Sequence, residues 1–409
     1  MMAASTAAEP AGLERAAYYS LLAFAVAMQF SIAAAGILLT LTGILWLALV
    51  LVNRERIIVP RMFWPLAAYA GATLTAAAFS IDPRASLIDS KQLIIFVIVP
   101  IVYRLLPGRR SLAMVDVIIT AGAINAAIGI IQFGILKFDH LGQRPQGTMM
   151  YMTYSGVIML VACTAVARIL FRKHDRAWAL IVMPALIVAL AATLSRNAWV
   201  GACAGIGLLF LIRDFRLVAL LPVIAAVFLA FAPATVTDRL FSTFQLSDVA
   251  GDSETTAVSV QSNRDRLAMI RSGLRMVKDH PFAGLGPNMV ALVYPQYRDP
   301  DAVNQNAAHL HNVPVQIAAE RGVPALIIWV WFVVTLLRDF FRKRTRTPLP
   351  SLPTAGLAAV AAMLAAGMFE YNFGDSEFLM LFLVLVTLPY AADRVPVGAE
   401  PAVPQPRAA

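Results

Sequence analysis

The stretch GILLTLTGILWLALVLVNRERIIVPR, residues 36–61, joins a long apolar run to a short segment that contains three arginines. The apolar part, residues 36–52, has no charged residue, and its length is at the lower end of the roughly 17–25 residues that a helix needs to cross a bilayer. Basic residues begin where the apolar run ends, as is typical of a transmembrane helix that reaches the cytoplasmic face.

The same pattern recurs along all 409 residues, of which 59% are hydrophobic and 14% charged, against roughly 25% charged residues in a soluble domain. Eleven further stretches are apolar enough to be marked as spans. They are residues 16–34, 62–80, 88–106, 112–136, 149–171, 178–194, 197–213, 216–232, 323–341, 354–372 and 376–391. The composition therefore predicts an all-α polytopic membrane protein with about 12 transmembrane helices.

Positive charge alternates between the two sides of these spans. Five turns on one side hold 17 basic residues: 53–61, 104–110, 168–176, 213–216 and 338–346. The short turns on the other side contain only Arg84, Lys91, Lys137, Arg144 and Arg196. Because cytoplasmic loops are enriched in Lys and Arg, this alternation predicts that both termini lie in the cytoplasm.

The spans and their orientation give the domain organisation. We expect a cytoplasmic leader at 1–15, transmembrane helices 1–9 at 16–232, an outer loop at 233–322, transmembrane helices 10–12 at 323–391 and a disordered cytoplasmic tail at 392–409. The outer loop is the longest connection between spans, and long loops usually carry function. The tail is rich in Pro and Ala and lacks hydrophobic periodicity, which is typical of disorder.

The net charge of +9 resides mostly in the turns that flank the spans, where anionic lipid head groups attract basic side chains. This distribution predicts contact with membrane lipids and argues against nucleic-acid binding. Cys163 and Cys203 both lie within predicted spans, so we expect neither a disulfide framework nor a Cys-x-x-Cys metal site. The sequence shows no other metal-ligand constellation.

The outer loop contains one amphipathic pattern, after a polar segment at 248–263 in which Ser262 or Asn263 could cap a helix. Four apolar residues recur at intervals of three, four and three: Leu267, Ile270, Leu274 and Val277. They predict a helix that packs this stripe against the membrane domain. Arg266 lies on the far flank of the stripe from the other basic residues, where it could either cover apolar surface with its stem or serve a substrate.

Two histidines, His309 and His311, precede the apolar run of the tenth span. Asn312 suits an N-cap, Pro314 the first turn and Gly322 the position after the last turn, which predicts a short helix just outside the membrane. The positive end of its dipole disfavours a protonated imidazole at His311, so a general base is one interpretation of that residue. An interfacial histidine that caps backbone groups is the other, and His309 fits it better.

Three segments together resemble the O-antigen ligase and polymerase family of bacterial envelope enzymes: SRNAWVG (195–201), RLAMIRSGLRMVKDHPFAGLGPN (266–288) and HNVPVQIAAERGVPAL (311–326). That family has a Ser-Arg pair at the outer end of a span, a second arginine fourteen residues before a His-Pro motif, and a His-Asn motif before Glu-x-Gly. The matching positions here are Arg196, Arg266 and His311, followed by Glu320 and Gly322.

The resemblance implies a C-type glycosyltransferase-like fold with one large periplasmic loop, in the bacterial inner membrane, with the active site facing the periplasm. It implies transfer of a glycan from undecaprenyl diphosphate-linked O-antigen to a lipid A-core acceptor. Since the sequence shows no metal-ligand cluster, we expect the transfer to need neither a metal nor a cofactor. Arg196 and Arg266 would bind the donor diphosphate, and His311 would be the catalytic base of an inverting transfer. Three residues are secondary candidates: Arg144 in a segment similar to a family Arg-x-x-Gly motif, His309 and Glu320.

Two other functions stay open. Within the family, an O-antigen polymerase or a protein O-oligosaccharyltransferase would use the same class of donor. Outside it, a transporter or flippase is possible because twelve spans are common among transporters. Transporters often contain internal repeats and ionisable residues near the midplane, whereas this sequence shows neither a repeat nor a buried charge pair. The sequence therefore argues against the transporter, and the polymerase is the nearest alternative to the ligase.

The predicted topology can be tested by cysteine labelling from outside the cell, in a background in which Cys163 and Cys203 are replaced by Ala. Because 233–322 is predicted outside and the tail inside, Asp252→Cys should react with a membrane-impermeant maleimide and Glu400→Cys should not. After permeabilisation both should react. Labelling of both positions in intact cells would contradict the topology.

Overall fold

The computed structural model describes residues 8–140, 142–172, 175–219, 222, 236–237 and 254–394. In these residues the fold is helical, and the extended pairing is limited to one bridge between His140 and Gln143. The helices before residue 220 are α1 Ala8–Ala27, α2 Ile32–Val52, α3 Phe63–Ala78, α4 Pro83–Asp89, α5 Ile98–Leu105, α6 Arg110–Gly134, α7 Tyr151–Phe171, α8 Ala177–Ala192 and α9 Arg196–Arg213. Those after residue 253 are α10 Glu254–Asp279, α11 Val290–Tyr297, α12 Val313–Lys343, α13 Ser351–Gly367 and α14 Ser376–Ala391. Short 3-10 helices occupy Ser90–Val97, Phe215–Ala219 and Asn372–Gly374.

Eleven of the twelve predicted spans coincide with helices. Most of the ninth, 216–232, lies outside the described residues, as do the leader up to residue 7, the polar segment 238–253 and the tail from 395. Five described segments are long and apolar enough to cross a membrane: Ile32–Val52, Pro83–Leu105, Arg110–Gly134, Tyr151–Phe171 and Val313–Lys343. The fold is thus that of an all-helical protein with membrane-length helices, and the total of twelve crossings stays a prediction.

Apolar side chains cover much of the outside of the bundle. Ile37 and Leu51 on α2 are 70% and 68% exposed, and Ile181 on α8 is 68% exposed. Burying such side chains is favourable in water, so a surface that carries them in large patches is suited to contact with hydrocarbon. By contrast, α7 and α14 are apolar on all sides and almost fully buried, so they form the centre of the bundle.

Small residues bring α9 into close contact with α13. A Cβ atom at Gly201 would lie 2.9 Å from the carbonyl oxygen of Ala362, and one at Gly205 would lie 2.8 Å from that of Ala358. Backbones approach this closely only where side chains are absent or small, as in many helix pairs in membranes. This contact fixes the first turn of α9 beside the chain that follows α13.

Helix α10 buries a different face from the predicted one. Leu267 and Leu274 are 51% and 55% exposed, whereas Ala268, Met269 and Met276 are buried. The sequence stripe was wrong because the small residues on the other face allow closer packing: a Cβ atom at Gly273 would lie 2.5 Å from Val315. The predicted caps at Ser262 and Asn263 were also wrong, since α10 already begins at Glu254 and neither Gly nor Pro interrupts it before Gly273.

The segment before α11 and the kinked part of α12 are joined backbone to backbone. The amide of Leu285 donates to the carbonyl of Ala319 at 2.9 Å, the amide of Gly286 to that of Glu320 at 2.9 Å, and the amide of Val323 to that of Pro281 at 2.8 Å. Helix α12 kinks at this junction, where its backbone leaves helical geometry at a single glycine.

Gly284 and Gly322 make the junction possible. Both have positive φ, +68° and +80°, and Gly322 adopts ψ 167°, a combination that is essentially restricted to glycine. A Cβ atom at Gly322 would lie 2.0 Å from the carbonyl oxygen of Phe282, and one at Gly284 would lie 2.5 Å from that of Glu320. The predicted end of the short helix at Gly322 is thereby confirmed, with a reason that the sequence did not reveal.

Gly322→Ala should therefore destabilise the protein by more than about 1–3 kcal/mol, because strain in φ and ψ adds to a clash with backbone. The measurement is the midpoint of thermal unfolding in detergent. Gly36→Ala is the matched control, since a Cβ atom there meets nothing within 4 Å and alanine is favoured in a helix. Equal midpoints for the two variants would contradict the role of the junction.

Candidate active site

A cavity of about 450 Å³ lies at one end of the bundle, where the chain enters α7, α9 and α12 and leaves α13. Its wall includes Tyr151, Asn197, His309, His311 and Glu370. Asn288, from the segment before α11, and Asp89, at the end of α4, also line it. Residues from six separate parts of the sequence therefore meet around one space.

Arg196 begins α9 beside this cavity. Its side chain is 6% exposed, and its Nη2 atom lies 3.5 Å from the hydroxyl of Ser262 on α10. Its Nη1 atom is buried and has no hydrogen-bond partner in the described part of the chain. Burial, followed by the charges of Arg266 and Arg144, lowers the pKa of Arg196 to about 10. A buried guanidinium with an unused donor and no carboxylate is a costly arrangement that an anion would relieve.

Arg266 and Arg144 complete a cluster of three guanidinium groups. Burial lowers the pKa of Arg266, while the nearby Glu370 carboxylate and Tyr151 oppose that shift. Burial also lowers the pKa of Arg144, whose guanidinium lies 4.3 Å from the centre of the Tyr151 ring. Like charges held together in a poorly hydrated place repel one another, so the cluster is electrostatically prepared for an anionic ligand. The structure thus brings together Arg144, Arg196 and Arg266, which come from three separate segments of the sequence.

Both histidines contact one carboxylate. The Nε2 atom of His309 lies 2.7 Å from Oε1 of Glu370, and the Nδ1 atom of His311 lies 2.9 Å from Oε2. The two imidazole rings are 4.2 Å apart. Burial raises the pKa of Glu370, but the hydrogen bonds from His309 and His311 outweigh it and hold that pKa well below its usual range. Glu370 is therefore an anion at neutral pH.

The predicted helix start after His311 is confirmed. The side chain of Asn312 accepts a hydrogen bond from the amide of Val315 at 3.0 Å, and Pro314 lies in the first turn. The same side chain donates to the carbonyl of Met368 at 3.1 Å, which ties the start of α12 to the connection after α13. His311 itself has φ +50°, a strained conformation of the kind that persists where the surroundings hold it.

Glu320, a secondary candidate, is part of a buried ion pair. Its Oε2 atom lies 2.6 Å from Nη1 of Arg321, and both side chains are buried where they line the cavity. Arg321 also donates to the hydroxyl of Tyr371 at 3.3 Å. The expectation that the protein has no buried charge pair was therefore wrong. The pair lies next to the kink of α12 and forms part of the wall of the cavity.

Glu370 is the residue that the sequence analysis missed. It was included in the predicted span 354–372, but α13 ends at Gly367 and Glu370 lies in the connection that follows. A single acidic residue at the edge of an apolar run, in GMFEYNFGD at 367–375, was the available signal. It could not be paired with His311 from sequence, because 59 residues separate them.

His309, His311 and Glu370 also form a possible ligand set for a metal ion, with their donor atoms within 4.8 Å of one another. Two imidazoles and a carboxylate suit Zn²⁺ or Fe²⁺. The sequence analysis found no metal-ligand cluster because these three side chains meet only in the folded chain. In the structure each carboxylate oxygen already has an imidazole nitrogen at hydrogen-bond distance, so the group is satisfied without an ion.

The fold and this site define an integral membrane protein with a pocket lined by a histidine pair and flanked by a cationic cluster. Residues 180–330 match the family model described as O-Antigen ligase. The resemblance drawn from the sequence is confirmed over this segment, and the match supports a glycosyltransferase-type enzyme of the O-antigen ligase and polymerase family. The matched segment includes Arg196, Arg266 and His311 and ends before Glu370. The comparison with curated proteins found no match.

Proposed function

We propose that this protein is an O-antigen ligase, which transfers a glycan from undecaprenyl diphosphate to a sugar hydroxyl of lipid A-core at the periplasmic side of the bacterial inner membrane. One observation carries the proposal: the guanidinium cluster of Arg144, Arg196 and Arg266 lies beside a cavity whose wall holds His309 and His311. A lipid-linked donor brings two phosphates, and the acceptor brings the hydroxyl from which a base must remove a proton.

The arginines would act on the leaving group. When the bond between the anomeric carbon and the phosphate oxygen breaks, its electron pair stays on the lipid diphosphate, where negative charge increases. Guanidinium groups bind phosphate with two parallel hydrogen bonds and can stabilise this charge where no metal is used. The unused donor of Arg196 supports this role, since a phosphate oxygen would satisfy it.

His311 would act on the acceptor. As the acceptor oxygen forms its bond to the anomeric carbon, its proton passes to the imidazole, and a single displacement of this kind inverts the anomeric centre. A retaining mechanism would need a carboxylate free to attack that carbon. Three of the four carboxylates that line the cavity already have partners: Glu320 pairs with Arg321, Glu370 with the two histidines, and Asp375 with a threonine hydroxyl. This favours the inverting route.

Polymerases and protein O-oligosaccharyltransferases would use the same donor and the same leaving-group chemistry. The decisive experiment is reconstitution of the purified protein in proteoliposomes with lipid-diphosphate-linked glycan and one of three acceptors: lipid A-core, a second lipid-linked repeat unit or an acceptor protein. The mass of the product shows which of the three acceptors has received the glycan. Glycan added to lipid A-core supports the ligase, and lengthened lipid-linked glycan would identify a polymerase instead.

Arg196→Ala and Arg266→Ala should each lower turnover strongly, because the leaving diphosphate loses a placed donor. Arg271→Ala and Arg275→Ala should do little, since Arg271 pairs with Asp301 at 2.8 Å and Arg275 with Asp299 at 3.2 Å. Lysine at 196 or 266 should restore little activity, because an ammonium group cannot make the two parallel contacts.

Initial rates at matched protein levels are the measurement for these variants, with exposed Lys278→Ala on the same helix as a further control. Equal losses across all the basic positions would mean that the loop acts through bulk positive charge, which would contradict placed guanidinium groups.

His311→Ala should lower turnover roughly 10²- to 10⁴-fold, the usual contribution of a general base, while donor binding survives. His309→Ala should retain most activity, because Oε1 of Glu370 keeps the amide of Tyr371 as a donor at 3.0 Å. Single-turnover rates and a donor-binding assay measure both effects, and a fully active His311→Ala protein would refute the assignment.

A further inference from the structure

We infer that Glu370 is a positioning residue for this reaction: it accepts a hydrogen bond from the Nδ1–H group of His311 and thereby directs the Nε2 atom of that imidazole toward the acceptor hydroxyl. The inference rests on the proposed function and extends it to a residue outside the family-matched segment. It assigns Glu370 no contact with the substrate. Its effect on the reaction passes entirely through His311.

The geometry fixes which nitrogen of His311 is available. Its Nδ1 atom lies 2.9 Å from Oε2 of Glu370, and a carboxylate can only accept a hydrogen bond, so Nδ1 carries the proton. In a neutral imidazole the other nitrogen, Nε2, then holds the lone pair. Without Glu370 the ring could take either tautomer and rotate about its side-chain bonds, and only a fraction of molecules would present a base.

Glu370 is itself held rigidly. Its side chain is buried. Oε1 accepts hydrogen bonds from Nε2 of His309 at 2.7 Å and from the amide of Tyr371 at 3.0 Å, and Oε2 accepts the hydrogen bond from His311. The tie between Asn312 and Met368 sets the distance between the two segments. A carboxylate with two other fixed donors can orient a ring, whereas an exposed one would follow the ring's own movement.

Charge gives Glu370 a second effect. When His311 takes the acceptor proton, an imidazolium forms beside the carboxylate, and the opposite charges stabilise it. Other ionisable groups act on this pair: His309 lies against the same carboxylate, Arg266 attracts it and Asp375 repels it. The Glu320–Arg321 ion pair and Asp89 line the same cavity. Of these groups, the Glu370 carboxylate is the one in hydrogen-bond contact with the ring of His311.

Glu370→Gln tests the inference, because the amide keeps the size of the side chain but loses its charge and offers a donor to one of the two histidines. Turnover should fall by at least about tenfold, and by no more than in His311→Ala. The Michaelis constant for the donor should change little. The acid limb of the pH–rate profile should move to lower pH, since the imidazolium loses its counter-charge. Glu377→Gln is the matched control, because this carboxylate lies just after the same connection, in the first turn of α14. It should behave like the unmodified protein.

A double variant separates this inference from the proposed function. If Glu370 acts through His311, Glu370→Gln should cost nothing further in a His311→Ala background. A further loss there would overturn the positioning role and leave His311 as the base. Full activity of His311→Ala would instead refute the base itself. A Glu370→Gln enzyme with normal turnover and an unshifted acid limb would also overturn the inference. Glu370→Asp keeps the charge but changes the position of the carboxylate, so it tests orientation. Unfolding midpoints of all variants show whether any of them has lost its fold.

Metal binding is the competing use of the same three side chains. The purified protein is dialysed against a chelator, assayed, and titrated with Zn²⁺ by calorimetry. The positioning role predicts unchanged turnover and no stoichiometric Zn²⁺ binding that depends on Glu370. One Zn²⁺ per chain, lost in Glu370→Gln and required for turnover, would overturn the inference and show that the carboxylate serves as a ligand.

Discussion

The architecture of the site depends on one backbone contact, the junction between residues 281–286 and 319–323. Three amide-to-carbonyl hydrogen bonds cross it, and Gly284 and Gly322 are the positions where a side chain would prevent it. On one side the junction fixes the end of α10, the helix that carries Arg266. On the other it kinks α12, so that the short helix after His311 turns away from the long apolar part that follows. The candidate residues Arg266 and His311 are therefore both placed by a contact in which neither takes part.

The electrostatics of the site follow from this placement. Helix α10 places Arg266 near Arg196. The close packing of α9 on α13, through small residues, fixes the position of Arg196. Three guanidinium groups then share a poorly hydrated region near the buried carboxylate of Glu370. Their mutual repulsion is a cost that the fold sustains and an anionic substrate would offset. The histidine pair lies on the carboxylate side of this arrangement, against Glu370.

The sequence predicted the local features of the protein well. Apolar runs with basic ends located eleven helices, and the Asn312 cap, Pro314 and the glycine at 322 were confirmed in detail. These features depend on neighbours along the chain, through hydrogen bonds within a turn and the preference of apolar residues for hydrocarbon. The motifs around Arg196, Arg266 and His311 were found for a related reason, since each motif is compact in sequence.

Tertiary structure decided everything that depends on distant neighbours. The buried face of α10 follows Gly273 against Val315, because close backbone approach outweighed the leucine stripe. Glu370 joins His309 and His311 only because the connection after α13 is tied to the start of α12, a relation that no local pattern encodes. Thus the sequence by itself determined the helices, the membrane class and the chemical identity of the candidate residues. Which of them meet, and which nitrogen of His311 remains free to accept a proton, was decided by the packing of segments that lie far apart in the chain.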